Sequence, residues 1–166
     1  CNARSVRNTW PIFKAAASVH RPSILAITET WLSDDIASSF TYYNYCQFSA
    51  CRHSEHPGGG VMFFFSPTYN MVSVKIPRQP PVSCNVLSVT DTSNGHCWVL
   101  VYRPPNCSAD DTRCLLECLE SLLLSHASIT ILGDCNMPGI DWQHNETQPA
   151  SSIQRDLVSM CDLWSL

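Results

Sequence analysis

The sequence predicts an α+β fold in which β-sheets pack face to face and helices lie outside them. Three observations carry this. The order of elements is strand, helix, strand, then a run of hairpin strands, then helix, strand, helix, which is not the regular alternation of a doubly wound sheet and suits mixed sheets stacked in layers. The 166 residues are 45% hydrophobic and 10% aromatic, enough for a core without staples and too apolar for a disordered chain. No internal repeat, linker or low-complexity tract interrupts residues 1–166, which therefore read as one domain.

Residues 2–6 read as the tail of a strand. Thr9 caps a helix with Pro11 in its first turn. That helix runs through Ile12, Phe13, Ala16 and Val19 and stops before Arg21-Pro22, because a residue preceding proline is pushed out of the helical region. Residues 23–30 (SILAITET) are apolar and rich in β-branched side chains, the pattern of a buried strand. Ser33-Asp34-Asp35 starts a short helix. Residues 42–48 are aromatic-rich and fit either state. Pro57 and Gly58-Gly59-Gly60 break the chain before a strand over 61–66. Alternating strands over 71–76 and 85–90 are split by a turn at Pro77, Pro80 and Pro81. Gly95 ends a turn before a strand over 96–102. Ser108-Ala109-Asp110-Asp111 caps a helix whose buried stripe is Leu115, Leu119 and Leu122, widened by Leu116 and Leu123. A strand over 128–132 ends at Gly133-Asp134, and Ser151 or Ser152 opens a last helix through Ile153, Leu157, Val158 and Cys161.

Composition narrows the setting. No run of about 18 apolar residues occurs, so no membrane span is expected. Cys1-Asn2-Ala3-Arg4 has neither the basic head nor the apolar stretch of a secretion signal, and without a starting Met it reads as the middle of a longer chain. The ten cysteines would suggest bridges in a secreted protein. Without a signal, and without a Cys-x-x-Cys pair for zinc, they are expected as free, reduced thiols acting as small apolar residues. The sequons Asn106-Cys107-Ser108 and Asn145-Glu146-Thr147 carry weight only in a secreted chain. A net charge of −4 argues against a simple polyanion binder, although a metal site itself needs carboxylates. Arg4, Arg7, Arg52, Arg78 and Arg103 are candidates for a local basic patch; ordinary solvated charges are the plainer reading of each.

Three strand ends deliver polar residues into loops. Glu29 closes the apolar run at Ile27-Thr28, where a carboxylate is costly unless paired or bound to a cation. Tyr102-Arg103-Pro104-Pro105 ends the strand through Trp98 and Leu100. Gly133-Asp134-Cys135-Asn136-Met137-Pro138 follows Ile129-Thr130-Ile131-Leu132, with Gly133 letting backbone and ligand come close and Pro138 stiffening the exit. Taken singly, these are a surface or ion-paired glutamate, a proline turn and an ordinary Asp/Asn turn. Taken together, hard oxygen donors from several strand ends are what Mg²⁺ requires. An Asp can take a proton from water, and a neighbouring Asn can position that water or a phosphate.

Five strings occur in one order: Asn2-Ala3-Arg4-Ser5, Leu25 to Leu32 (LAITETWL), Gly58-Gly59-Gly60-Val61, Val101 to Asn106 (VYRPPN) and Ile131 to Trp142 (ILGDCNMPGIDW). In this the chain resembles the endonuclease–exonuclease–phosphatase superfamily, and within it the endonuclease domains of LINE-type (non-LTR) retrotransposons of the chicken-repeat and Jockey type. The glycine triplet lacks the Lys-Ser/Thr of a phosphate loop and reads as a tight entry into a strand. The resemblance implies a DNase I-like two-layer β-sandwich flanked by helices, with the site at one edge. It implies that Glu29 binds Mg²⁺ (or Mn²⁺) and that Asn2 supports both the metal and the catalytic Asp. It further implies that Tyr102 contacts the scissile phosphate, that Asp134 activates the attacking water and that Asn136 orients it. The implied substrate is double-stranded DNA, nicked to leave a 3′-hydroxyl for a covalently linked reverse transcriptase domain, inside the cell and in the nucleus at the time of action.

Two departures stand out. Cys135 replaces the Phe usual between the Asp and the Asn; it is smaller, loosens packing beneath the site and is not expected to do chemistry. The resemblance also calls for a later Asp and a closing Ser-Asp-His that no residue after Asp162 supplies, since His126 and His144 lie outside that motif and read as surface histidines. The expectation is therefore a domain that lacks the start of its first strand and is incomplete at its C-terminus, weakly active or inert by itself. The alternatives are a binding-only remnant of an element or another phosphodiesterase of the superfamily.

Overall fold

A computed structural model describes residues 1–52, 58–142, 146–147 and 152–164. Helix α1 (Val6–His20) is followed by β1 (Ile24–Thr28), the short α2 (Asp34–Ala37), β2 (Cys46–Ala50) and β3 (Val61–Phe65). These three strands form an antiparallel sheet in the order β1-β3-β2. A second sheet has the order β4-β5-β6-β7, from β4 (Met71–Ser73), β5 (Asn85–Asp91), β6 (Cys97–Tyr102) and β7 (Ile129–Asp134). Its first three strands are antiparallel and β7 runs parallel to β6. A parallel neighbour needs a long crossover, which α3 (Ala109–Ser125) provides.

The layers follow from the strand patterns. All five residues of β3, Val-Met-Phe-Phe-Phe, are buried because the strand is central and covered on both faces. Phe63 and Phe65 meet Val89 and Leu100 of the other sheet. Met62 and Phe64 meet Val6, Trp10 and Ala17 of α1, with Trp10 stacked on Phe64 at 5.2 Å between ring centroids. On the outer face of the second sheet, Val99 and Val101 pack on Leu115, Leu119 and Leu122 of α3. Each such side chain contributes roughly 1.5–3 kcal/mol by leaving water. The result is helix, sheet, sheet, helix: the two-layer sandwich flanked by helices that the element order predicts.

Several local expectations are corrected. Helix α1 begins at Val6, so Thr9 is not its cap; its hydroxyl bonds back to the Ser5 carbonyl at 3.1 Å. Pro11 therefore lies inside the helix. Arg7 and Pro11 are both exposed, so water can take the place of the lost backbone bond. The buried stripe is Val6, Trp10 and Ala17, with Phe13 partly buried, while Ile12 and Val19 are 69% and 78% exposed. The strand expected over 71–76 shortens to Met71–Ser73, and β5 does not alternate because it is sandwiched between the other sheet and the α3 side. A small hairpin, β8 (Ile140–Asp141) with β9 (Glu146–Thr147), was not expected. Helix α4 (Ser152–Trp164) buries Ile153, Leu157 and Val158 against Met137 and Ile140; Ser151 and His144 fall outside the described residues. His126 sits at the end of α3, half-buried, its ring 3.1 Å from the Leu122 carbonyl. All ten cysteines are free. Among the described residues no helix is long and apolar enough to cross a membrane.

Candidate active site

The site is built where three strands end. The N-terminal segment docks beside β1 through one parallel bridge, Asn2 with Thr28, secured by Ala3 N–H to the Thr28 carbonyl and Thr28 N–H to the Cys1 carbonyl, both at 2.9 Å. The expected strand tail is thus a single bridge. Arg4 and Ser5 then turn through positive φ (42° and 84°) into α1. After β1 the chain bends sharply, with Glu29 at φ 53° and Trp31 at φ 55°. Left-handed non-glycine residues are costly and persist only where their surroundings hold them. Here Thr30 and Trp31 donate to the carbonyls of Gly60 (3.2 Å) and Gly59 (2.9 Å), and the Ser5 N–H to that of Glu29 (3.0 Å). A Cβ on Gly60 would run into the Thr30 hydroxyl, so the glycines make this approach possible. Asn85, buried on β5, fixes the strip from below by accepting the Gly60 N–H at 2.8 Å.

The parallel register of β6 and β7 places Tyr102 opposite Asp134 at the ends of both strands. Gly133 serves this pairing, because a Cβ there would collide with the Val101 carbonyl of β6. One side chain then gathers the acids: Asn2 Nδ2 donates to Glu29 Oε1 at 2.7 Å and to Asp134 Oδ2 at 2.9 Å. Its carbonyl accepts the Arg4 N–H at 3.1 Å. The Tyr102 hydroxyl is hydrogen-bonded to Glu29, and burial, reinforced by the negative charge of Glu29, pushes its pKa up to about 12. Tyr102 is therefore a protonated donor at neutral pH.

Asn136 (φ 47°) joins from the loop after β7: its N–H donates to Asp134 Oδ1 at 3.2 Å, and its side-chain Nδ2 donates to the Arg103 carbonyl at 2.8 Å. For Arg103 the sequence reading offered a place in a proline turn and in a basic patch, and missed its role as a buried clamp. It is buried, and its guanidinium donates to Thr112 Oγ1 (2.9 Å) and to the carbonyls of Cys135 (3.2 Å), Pro104 (3.3 Å), Asn136 (3.4 Å) and Cys107 (3.4 Å). It clamps the loop that carries Asp134 and Asn136 to the start of α3. The five arginines do not assemble a patch, since Arg103 is interior and Arg78 pairs with Glu117 on α3. Cys135 is half-buried against α4, and burial pushes its thiol up to about 11, so it stays protonated.

The donor set decides whether a divalent cation fits. Glu29 and Asp134 are held together by one shared amide, and among the described residues neither has an ion-pair partner. Two close carboxylates without a cation repel each other, and a cation beside them relieves this. No group of three His, Cys, Asp or Glu side chains is present among the described residues, which disfavours a closed protein cage. Mg²⁺ commonly takes only one or two carboxylates and completes its shell with water and substrate phosphate. The residues fit such an ion.

A family model described as "Endonuclease-reverse transcriptase" matches residues 96–166. The sequence matches no curated protein. Among solved structures, a 3′-5′ exonuclease from Neisseria meningitidis is similar over 98% of this chain and 69% of its own, with 17% identity and a TM-score of 0.71. An AP endonuclease from Archaeoglobus fulgidus is similar over 98% and 68%, with 16% identity and a TM-score of 0.67. The endonuclease domain of TRAS1, a telomere-specific non-LTR retrotransposon, is similar over 99% and 70%, with 12% identity and a TM-score of 0.64. The chain shares its fold with these nucleases. Within that fold, the sequence-matched segment carries β6, α3 and β7 with Tyr102, Arg103, Asp134 and Asn136, whereas Asn2 and Glu29 lie outside it. The fold is thus shared with nucleases, and the segment matched in sequence is that of the "Endonuclease-reverse transcriptase" family.

Proposed function

We propose that this chain is the Mg²⁺-dependent endonuclease domain of a non-LTR retrotransposon protein, nicking double-stranded DNA to give a 3′-hydroxyl that a linked reverse transcriptase extends in the nucleus. The observation that carries the chemistry is the Asn2 amide joining Glu29 to Asp134 beside the Tyr102 phenol. The retrotransposon assignment is supported by the description of the family that matches residues 96–166 and by the likeness to the TRAS1 domain.

Glu29 would hold the cation, with Asn2 fixing the angle of its carboxylate. A bound Mg²⁺ supplies charge neutralisation at the phosphate and at the departing 3′ oxygen. The remaining work falls to the chain. Asp134 accepts the proton of the attacking water, its two oxygens held from opposite sides by Asn2 and by the Asn136 N–H. The Asn136 side-chain carbonyl is the group left to orient that water, because its Nδ2 is committed to Arg103. With Glu29 turned to the cation, the single Tyr102 proton that Glu29 otherwise accepts is donated to a non-bridging phosphate oxygen, where charge develops in the transition state.

The test is relaxation of supercoiled plasmid with Mg²⁺ by a longer protein that includes a closing Ser-Asp-His. Nicked circles whose ends a polymerase extends are expected, with Glu29→Gln and Asp134→Ala each lowering the rate by at least about 10²-fold. Nicking that survives Asp134→Ala would sink the assignment. A second reading, a phosphodiesterase working from 3′ ends, is favoured by the likeness to the Neisseria exonuclease; shortening of a labelled linear duplex without nicking of closed circles would select it.

A further inference from the structure

We infer that Trp31 and Arg52 form a ledge on which a base of the substrate strand stacks, beside the phosphate bound at Tyr102. The inference rests on the endonuclease reading and adds how that site grips its strand. Trp31 is 48% exposed although large and apolar. A single exposed aromatic is ordinary, but this one ends a strained turn, at φ 55° and tied to the Gly59 carbonyl at 2.9 Å. Its place is fixed only two residues after Glu29.

The ledge has a defined floor. A Cβ on Gly58 would lie 3.3 Å from Trp31 Nε1 and 3.6 Å from Arg52 Nη1. A Cβ on Gly59 would lie 2.9 Å from Arg52 Cδ and 3.6 Å from Tyr102 Cε1. Indole, guanidinium and phenol therefore follow one another over two consecutive glycines, whose positive φ (89° and 79°) and lack of side chains keep the strip low. The phenol end meets Glu29 and the acids; the indole end is open.

Chemistry selects the occupant. Aromatic rings and the flat face of arginine both stack on nucleobases, independently of sequence, because every base has a π-face. A net charge of −4 gives no general attraction to a polyanion, and a stacking contact is a source of affinity that does not depend on one. In an intact duplex both faces of a base are already covered. The ledge therefore favours a strand with an unpaired base next to the cleaved phosphate.

The measurement is fluorescence anisotropy of labelled DNA with Ca²⁺ in place of Mg²⁺, using three probes: matched duplex, duplex with a short unpaired bubble, and single strand. The native chain should bind the bubble more tightly than the matched duplex, with a shallow salt dependence. Trp31→Ala should weaken bubble binding about tenfold and erase the preference, while Trp31→Phe keeps most of both; Arg52→Gln should fall between. Unchanged affinity and preference in Trp31→Ala would overturn the ledge. So would a Phe variant as weak as the Ala variant at an unaltered melting temperature. Failure of the native chain to bind any of the three probes would instead remove the endonuclease reading beneath it.

Discussion

A single amide group organises this site. Asn2 spends both protons of its Nδ2 on carboxylates from two different strands, so Glu29 and Asp134 approach without an intervening cation of the protein's own. The hydrogen bond between Tyr102 and Glu29 extends this network, and the rise of the phenol to about 12 has a direct consequence. A donor must keep its proton, and burial together with the charge of Glu29 holds it on Tyr102 in the cation-free chain. Tyr102→Phe, which removes the donor and keeps the ring, should lower kcat about 10²-fold with little change in KM, read from initial nicking rates. Glu29, Tyr102 and Asp134 stood out in the sequence because each ends an apolar run, where a polar group needs a reason; Asn136 was read from its place beside Asp134, and Asn2 from the resemblance alone. The clamping role of Arg103 was not legible. Its burial depends on acceptors from residues 104–136, a convergence that no local pattern encodes. Asn85 was hidden for the same reason, since its partner Gly60 lies in the loop that leads into β3, distant in sequence.

At the scale of elements, the loop that carries Asp134 and Asn136 is as good as the parts that hold it. Replacing Arg103 by Leu keeps the bulk but leaves several buried carbonyls without a donor, so the chain should lose roughly 2–4 kcal/mol in urea unfolding. Ser108 accepts the Asp111 N–H at 3.0 Å at the start of α3, and Ser108→Ala should cost about 1 kcal/mol in the same measurement. That cap was readable because Ser-x-x-Asp is a local signal. The start of α1 was not, because Ser5 precedes it without a side-chain cap bond and its entry is set by Asn2, Glu29 and Thr30 across space. Strands showed the same division. β1 and β3 announced themselves as apolar runs, whereas the burial of β5 on both faces follows only from its place between two layers.

The whole molecule stores much of its sensitivity in buried neutral acids. Burial pushes the thiols of Cys51, Cys118 and Cys135 up to about 11, and those of Cys84 and the Tyr102 phenol up to about 12. The sign is that of acids whose protonated form the fold protects. As pH passes 9 the unfolded chain loses these protons first, binds fewer than the native state, and gains stability relative to it. Melting temperature should therefore be insensitive to these groups below pH 9 and fall between pH 9 and 12; a flat curve through pH 11 would show that the thiols are open to water. A second property of the assembled layers lies at the margin of the second sheet. β7 pairs with β6 on one side and has no strand on the other among the described residues. Leu132 is 36% exposed on it, above a groove of about 800 Å³ lined by Leu119, Met137, Leu157 and Met160. An open strand with apolar neighbours is a template for another chain unless charge blunts it, and β7 carries no charged residue before Asp134. Residues 1–166 should self-associate as concentration rises in sedimentation velocity. Leu132→Lys places a charge on the strand, so it should shift the population toward monomer. A chain that stays monomeric at high concentration, or a lysine variant that associates as strongly, would show that β7 is already covered.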